Sequence, residues 1–261
     1  MTAATAVPPR DPGLHPCGLP SRHNPLRVLL CGVGGSGSRM ALRLAELHKG
    51  LTALGRPGLQ LHACDPKRVS RANLVRQSFY PCDVGYFKSE VLITRLNLAL
   101  GTRWTADPEV AQSQALGGYA LVVSCLDSAL SRRELAGALE RDPATARYHL
   151  DLGNGRDFGQ WVLGGCGLPS PYTVLPALLE GEDDDSPSCS ALESLLSQDL
   201  YVNECVALFA AQLLWTLLMT GETRTVGGFV NLKDLSVSAL AVVPRSEAPT
   251  ESEGSSAHSR P

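Results

Sequence analysis

The chain has 261 residues, 44% of them hydrophobic and 19% charged, which excludes a globally disordered polymer and leaves length for one or two domains with a real core. Lys and Arg number 23 against 26 Asp and Glu, a net charge of −3, which argues against a nucleic-acid binder that relies on a basic face. The longest nearly uncharged apolar run, 206–219, falls short of the roughly 20 residues of a membrane span, and the start, MTAATAVPPRDPG, lacks a secretory pattern, so a cytoplasmic protein with reduced thiols and no membrane partner is expected.

Residues 1–24, rich in Pro, Gly and small residues, are predicted to be irregular. Residues 26–31 are apolar but for Arg27, the pattern of a strand buried on both faces. A glycine turn at 32–37 leads into a helix predicted over 38–50, where Met40, Leu44 and Leu47 recur at spacings of four and three. A second strand is predicted over 59–64, then a helix over 89–100, a strand over 120–125, a helix over 130–140, and strands over 148–152 and 160–163. This alternation predicts an α/β fold with a Rossmann-like, mostly parallel sheet and helices on both faces. The pattern then changes. Residues 164–190 are Gly/Pro-rich and then acidic, and 199–220 reads as a helix apolar nearly all round, stopped by Gly221. Such a helix is buried in the core or in a subunit contact. Residues 228–243 suggest antiparallel edge strands, and a disordered tail is predicted for 244–261.

Three features carry chemistry. Gly32-Val33-Gly34-Gly35-Ser36-Gly37 is a GxGxxG turn between a strand and a helix. Glycines let the backbone turn sharply and approach phosphates, and the helix N-terminus adds free N–H groups. Asp65, at the end of the second strand, suits the hydroxyls of a ribose. It lies 28 positions beyond Gly37, against roughly 20 in dinucleotide folds. Asn73, Arg76, Gln77 and Lys88 then cluster within 16 residues. Hydride transfer has no evident need for them, whereas cations beside a triphosphate neutralise phosphate and leaving pyrophosphate. The eight cysteines (17, 31, 64, 82, 125, 166, 189 and 205) include no CxxC pair, so no zinc site is expected.

The segments GVGGSG, ACDPKRVSRANLVRQSF, DVGYFKSEV and VVSCLDS, in that order, resemble the ThiF/MoeB/ubiquitin-activating-enzyme superfamily over about 26–155. The acidic loop and the DLYVNE helix look similar to ThiF-type proteins of the bacterial plasmid-linked PRTRC system. The resemblance implies that Gly32, Gly34, Gly35 and Gly37 cradle ATP and that Asp65 holds its ribose. Asn73, Arg76, Gln77 and Lys88 would contact the phosphates, and Asp127 would hold Mg2+. It implies adenylation of the C-terminal carboxylate of a small ubiquitin-like β-grasp carrier protein by a homodimer. The expected organisation is a ThiF-like domain over 25–243, with a nucleotide-binding half (25–155) and a crossover loop and carrier-facing half (156–243). A carboxylate is already ionised at neutral pH, so no general base is needed, and Arg76, Lys88 and Asp127 would act by positioning and charge.

Three departures from the family stand out. Its second Asp, two positions after the first, is Lys67. Its N-terminal arginine segment has no match among Arg10, Arg22 and Arg27, and its paired CxxC zinc ligands are missing. Cys189, in the SPSCS stretch, is the candidate acceptor for onward thiol transfer, with Cys166 a weaker one, although the acids at 182–185 favour the neutral thiol. The same glycine turn also serves NAD(P)-dependent oxidoreductases, and a non-catalytic nucleotide-binding module is the third reading.

Overall fold

A computed structural model describes residues 13–17, 24–110, 116–142, 147–180 and 199–242. In chain order the elements are β1 (His15–Pro16), β2 (Leu26–Cys31), α1 (Gly35–Ala53), β3 (Leu59–Cys64), α2 (Lys88–Leu100), β4 (Thr105–Asp107), β5 (Leu121–Ser124), α3 (Ala129–Arg141), β6 (Tyr148–Asn154), β7 (Phe158–Gly165), the single turn α4 (Pro171–Val174), α5 (Val202–Thr220), β8 (Glu222–Thr223), β9 (Thr225–Asn231) and β10 (Ser236–Ala241). The predicted tail, the acidic loop, Arg10, Arg22 and Cys189 lie outside the described residues.

Eight strands form one sheet in the order β10-β9-β7-β6-β5-β2-β3-β4. The β2–β3, β3–β4, β2–β5 and β5–β6 pairs are parallel, and the β6–β7, β7–β9 and β9–β10 pairs are antiparallel. Both the parallel core and the antiparallel extension therefore match the sequence reading. Successive strand residues point to opposite faces. Val28 and Leu30 thus join Met40 and Leu44 of α1, Leu92 and Leu96 of α2 and Val206 and Leu214 of α5 in one core. Leu29 and Cys31 join Val122 of β5 and Leu135 of α3 in another. Helices cover both faces, as parallel strands require.

The structure departs from the sequence reading in several places: β4 and β8 have no counterpart in it, β6 and β7 run longer than predicted, and three further differences follow. Helix α1 begins at Gly35, three residues early, because its glycines sit where no side chain fits. Helix α5 has 19 residues and is long and apolar enough, by composition, to cross a membrane, unlike the shorter run counted in the sequence. Here Val202, Val206, Ala210, Leu214 and Leu217 are buried against α1 and the sheet, while Leu208 on the outer face stays half exposed. Finally, within residues 1–24, β1 pairs with β8, and His15 Nε2 lies 2.6 Å from the Tyr148 hydroxyl.

Candidate active site

The site is assembled at the carboxyl ends of β2, β3 and β5, where the parallel strands of a doubly wound sheet hand over to their loops. Gly32 follows β2 with φ +85, a left-handed conformation that favours glycine, and a Cβ on it would stand 2.7 Å from the Cys125 carbonyl oxygen. A Cβ on Gly37 would stand 2.0 Å from the Gly32 carbonyl oxygen, so helix α1 starts hard against the strand end. At Gly35 the obstacle is the Asn203 side chain, at 2.8 Å, whereas Gly34 faces nothing within 4 Å. Two glycines thus serve close backbone packing, one admits α5, and Gly34 leaves the turn open to a ligand.

Asp65 is buried just past β3, and its two oxygens tie the strand ends together. Oδ2 accepts the Val33 N–H at 2.6 Å and Oδ1 accepts the Lys67 N–H at 2.7 Å. The chain from 67 to 69 then runs back beside 85–88. The Val69 and Tyr86 backbones are joined, Arg68 bridges to Phe87 with its guanidinium 3.7 Å from that ring, and the Lys88 N–H bonds the Lys67 carbonyl at 3.1 Å. This small ladder brings Lys67 and Lys88, 21 positions apart in sequence, to one place.

Lys88 opens α2, is only 5% exposed, and has no carboxylate within ion-pairing distance of its ammonium among the described residues. Burial lowers its pKa, the Asp65 and Asp127 carboxylates oppose this, and the Lys67 ammonium adds to the lowering. A cation at a helix N-terminus also meets the positive end of the dipole. Burying this charge is a cost to the fold. Asp127 stands on the loop between β5 and α3, and Lys67 Nζ lies 2.9 Å from its Oδ2. Desolvation works to raise the Asp127 pKa, but the Lys67 ammonium, the backbone N–H of Asp127 itself and the Lys88 charge together outweigh it and hold the carboxyl below its usual value. Both partners are largely exposed, 61% for Lys67 and 81% for Asp127, so they sit at the mouth of the cleft while Lys88 sits inside. Mg2+ takes oxygen ligands, and here the Asp127 carboxylate already faces an ammonium. The donor set at Asp127 therefore does not fit the ion expected from the sequence.

The 70–78 loop is held by its own side chains. Asn73 Oδ1 accepts the Ser70 N–H at 2.9 Å, so its oxygen shapes the loop, while its Nδ2 group carries the donors that a phosphate would accept from. The Ser78 N–H bonds Ser38 Oγ at 3.1 Å, which ties the end of this loop to the first turn of α1. Arg76 is half buried, and that burial lowers its pKa. An arginine nonetheless stays charged. Gln77 Oε1 is buried and has no hydrogen-bond partner among the described residues, an orphan polar atom of the kind a ligand satisfies.

Sequence reasoning missed a clamp behind the glycine turn. Ser36 Oγ donates to Asn203 Oδ1 at 3.0 Å, and Asn154 Nδ2 bonds Ser36 Oγ at 2.6 Å and Asn203 Oδ1. It locks the start of α1 to β6 and α5. The only signal for it was the polar NE pair inside an otherwise apolar helix. Arg39 and Arg43 of α1 both pair with Glu204 beside it. Arg27 stacks over Tyr119, 4.9 Å from its ring, at the opposite end of the sheet from the site. Cys166 is pushed up to about 11, chiefly by burial, so its thiol is protonated at neutral pH and a poor acyl acceptor.

A second buried polar cluster lies under α3 and α4. The Ser124 hydroxyl donates to Asp151 Oδ2 at 2.6 Å and stands 2.7 Å from His149 Nε2. With its single proton given to Asp151, the hydroxyl receives the Nε2–H of a neutral imidazole. Burial drives His149 down to about 4, although Asp151 works to raise it. The unfolded chain takes up a proton near the ordinary value of 6.5 while the folded chain does not, so stability is lost as pH falls below that value. Urea unfolding should show a loss of about 2 kcal/mol between about pH 7 and 5 from this group. The expected result is that His149→Gln removes that part of the acid sensitivity; an unchanged pH slope would show that the imidazole already ionises in the fold.

Fold and site together define an α/β protein with a Rossmann-type glycine turn and an acid–lysine cleft at the strand ends. No protein-family model and no curated protein matches the chain. Solved structures do share its fold. They include PaaA (15% identity, TM-score 0.61, covering 83% of this chain and 64% of that one). E. coli MccB bound to ATP matches at 14% identity with a TM-score of 0.59, over 84% of this chain and 64% of that one. MccB, described as the microcin C7 biosynthetic enzyme, in complex with N-formylated MccA matches at 14% and 0.63, over 84% and 65%. Identities this low establish the fold alone, and the chain spans just under two thirds of the length of each of these neighbours.

Proposed function

We propose that the chain is an adenylating enzyme of the ThiF/MoeB type, which uses ATP to activate the C-terminal carboxylate of a protein or peptide. The observation that carries this is Lys88, a buried ammonium with no ion-paired carboxylate among the described residues, set between Asp65 and Asp127 beside an open glycine turn. The likeness to MccB solved with ATP and with MccA supports the reading. The incoming carboxylate oxygen attacks the α-phosphorus. A new oxygen–phosphorus bond forms, the bond to the β-phosphate oxygen breaks, and the electron pair leaves with pyrophosphate. Lys88 and Arg76 neutralise the charge that grows on that leaving group, in a cleft whose burial strengthens them. The glycine turn and the first N–H groups of α1 face the phosphates, and Asp65 accepts ribose hydroxyls with the lone pairs its backbone bonds leave. No proton has to be removed from the nucleophile.

The finer reading is a β-grasp, ubiquitin-like carrier as the carboxylate donor, with PRTRC-type proteins as kin. In it a homodimer places the outer face of α5 in a subunit contact, and Cys189 serves as onward acceptor. The test is exchange of radiolabelled pyrophosphate into ATP with purified β-grasp proteins, and a search by mass spectrometry for an adenylated C-terminus. Exchange that depends on the carrier's free carboxylate is the expected result. Tight NAD(H) binding with no ATP binding would replace this reading by the oxidoreductase.

A further inference from the structure

The mouth of the cleft holds a carboxylate and a cation already in contact. Lys67 Nζ lies 2.9 Å from Asp127 Oδ2, with both side chains open to solvent. The backbone of Lys67 is pinned on both sides, its N–H to Asp65 and its carbonyl to the Lys88 N–H. Its ammonium is therefore presented from a rigid point, one step outward from Lys88. The two ammoniums are close enough for Lys67 to lower the Lys88 pKa, so bringing them together is unfavourable until an anion enters. A metal at the same carboxylate would meet the same repulsion. An ammonium carries three N–H donors and can bond a carboxylate and a phosphate at once. That is the connectivity a carboxylate–metal–phosphate site has.

We propose that Lys67 is a built-in cation that bridges Asp127 to the nucleotide's phosphates, so that nucleotide binding does not depend on Mg2+. The inference rests on the ATP reading above, and its test separates the two. ATP binding is measured by titration calorimetry on the full chain in excess EDTA and in Mg2+, for the wild type, Lys67→Met and Lys67→Arg. The wild-type Kd should agree within about threefold between the two conditions. Lys67→Met should bind about tenfold or more weakly in EDTA, the loss of one charge-assisted hydrogen bond, and Lys67→Arg should restore most of it. The Lys67 side chain is largely exposed, so both variants keep the fold. Wild-type binding that vanishes in EDTA and returns with Mg2+, or Lys67→Met binding as tightly as wild type in EDTA, would overturn the role of Lys67. Absence of ATP binding in every condition would overturn the nucleotide reading itself.

Discussion

Lys88→Met will lower ATP–pyrophosphate exchange about a hundredfold, a loss of about 3 kcal/mol of transition-state stabilisation, without lowering the urea midpoint of the protein. The two halves of this expectation come from one fact. Lys88 is 5% exposed, its pKa is lowered by burial, and among the described residues no carboxylate lies within ion-pairing distance to repay its desolvation. Removing an uncompensated buried charge and leaving its aliphatic bulk relieves the fold. Removing it from a reaction that expels pyrophosphate takes away a preorganised cation where negative charge grows. A lysine whose role is structural gives the opposite pattern, a lower midpoint with exchange falling only in proportion to the folded fraction. Unchanged exchange together with an unchanged midpoint would sink the assignment of Lys88 to the reacting phosphates.

The second large effect is expected at Gly37. An alanine Cβ there would stand 2.0 Å from the Gly32 carbonyl oxygen and 2.8 Å from its carbon. Both obstacles are backbone, so no side chain can swing aside, and the Gly32 backbone is itself anchored through its N–H to the Cys64 carbonyl at 2.9 Å. Relief requires moving the start of α1 away from β2, which also pulls on the Ser36–Asn203 contact. The cost should be roughly 3 kcal/mol, at the upper end of overpacking, with ATP binding lost because the turn no longer faces its ligand. Gly34→Ala is the contrast. Nothing lies within 4 Å of that position, so stability should be nearly unchanged while nucleotide binding falls. Equal unfolding midpoints for Gly37→Ala and the wild type, measured by urea titration, would refute the packing argument.

The two glycines illustrate how far the sequence could be read. A GxGxxG between a strand and a helix announces that a backbone approaches something closely. It does not say whether that something is a phosphate, a neighbouring carbonyl or, as at Gly35, a side chain arriving from position 203. The alternation of apolar strands and amphipathic helices and the parallel core of the sheet were legible. Each depends on local periodicity or on residues close together in sequence. Asp65 and Asp127 were legible for the same reason, as acids that end buried strands.

What the tertiary structure alone decided is which of these groups meet and what each is left free to do. Lys67 read as a missing acid; folded, it is the partner of Asp127, 60 positions away. The spacing that singles out Asn73 does not show that its carboxamide oxygen also holds its own loop. The clamp of Ser36, Asn154 and Asn203 and the buried Ser124–His149–Asp151 cluster join residues on separate elements, which no spacing in the sequence could reveal. The physical reason is range. Hydrophobic periodicity is written into neighbouring residues, whereas desolvation and charge pairing depend on groups that come together only when the sheet is assembled. The sequence by itself determined an α/β sheet with a phosphate-type turn and cations after it. Only folding decided that Lys88 is buried without a paired carboxylate and that Lys67 covers the carboxylate at the mouth.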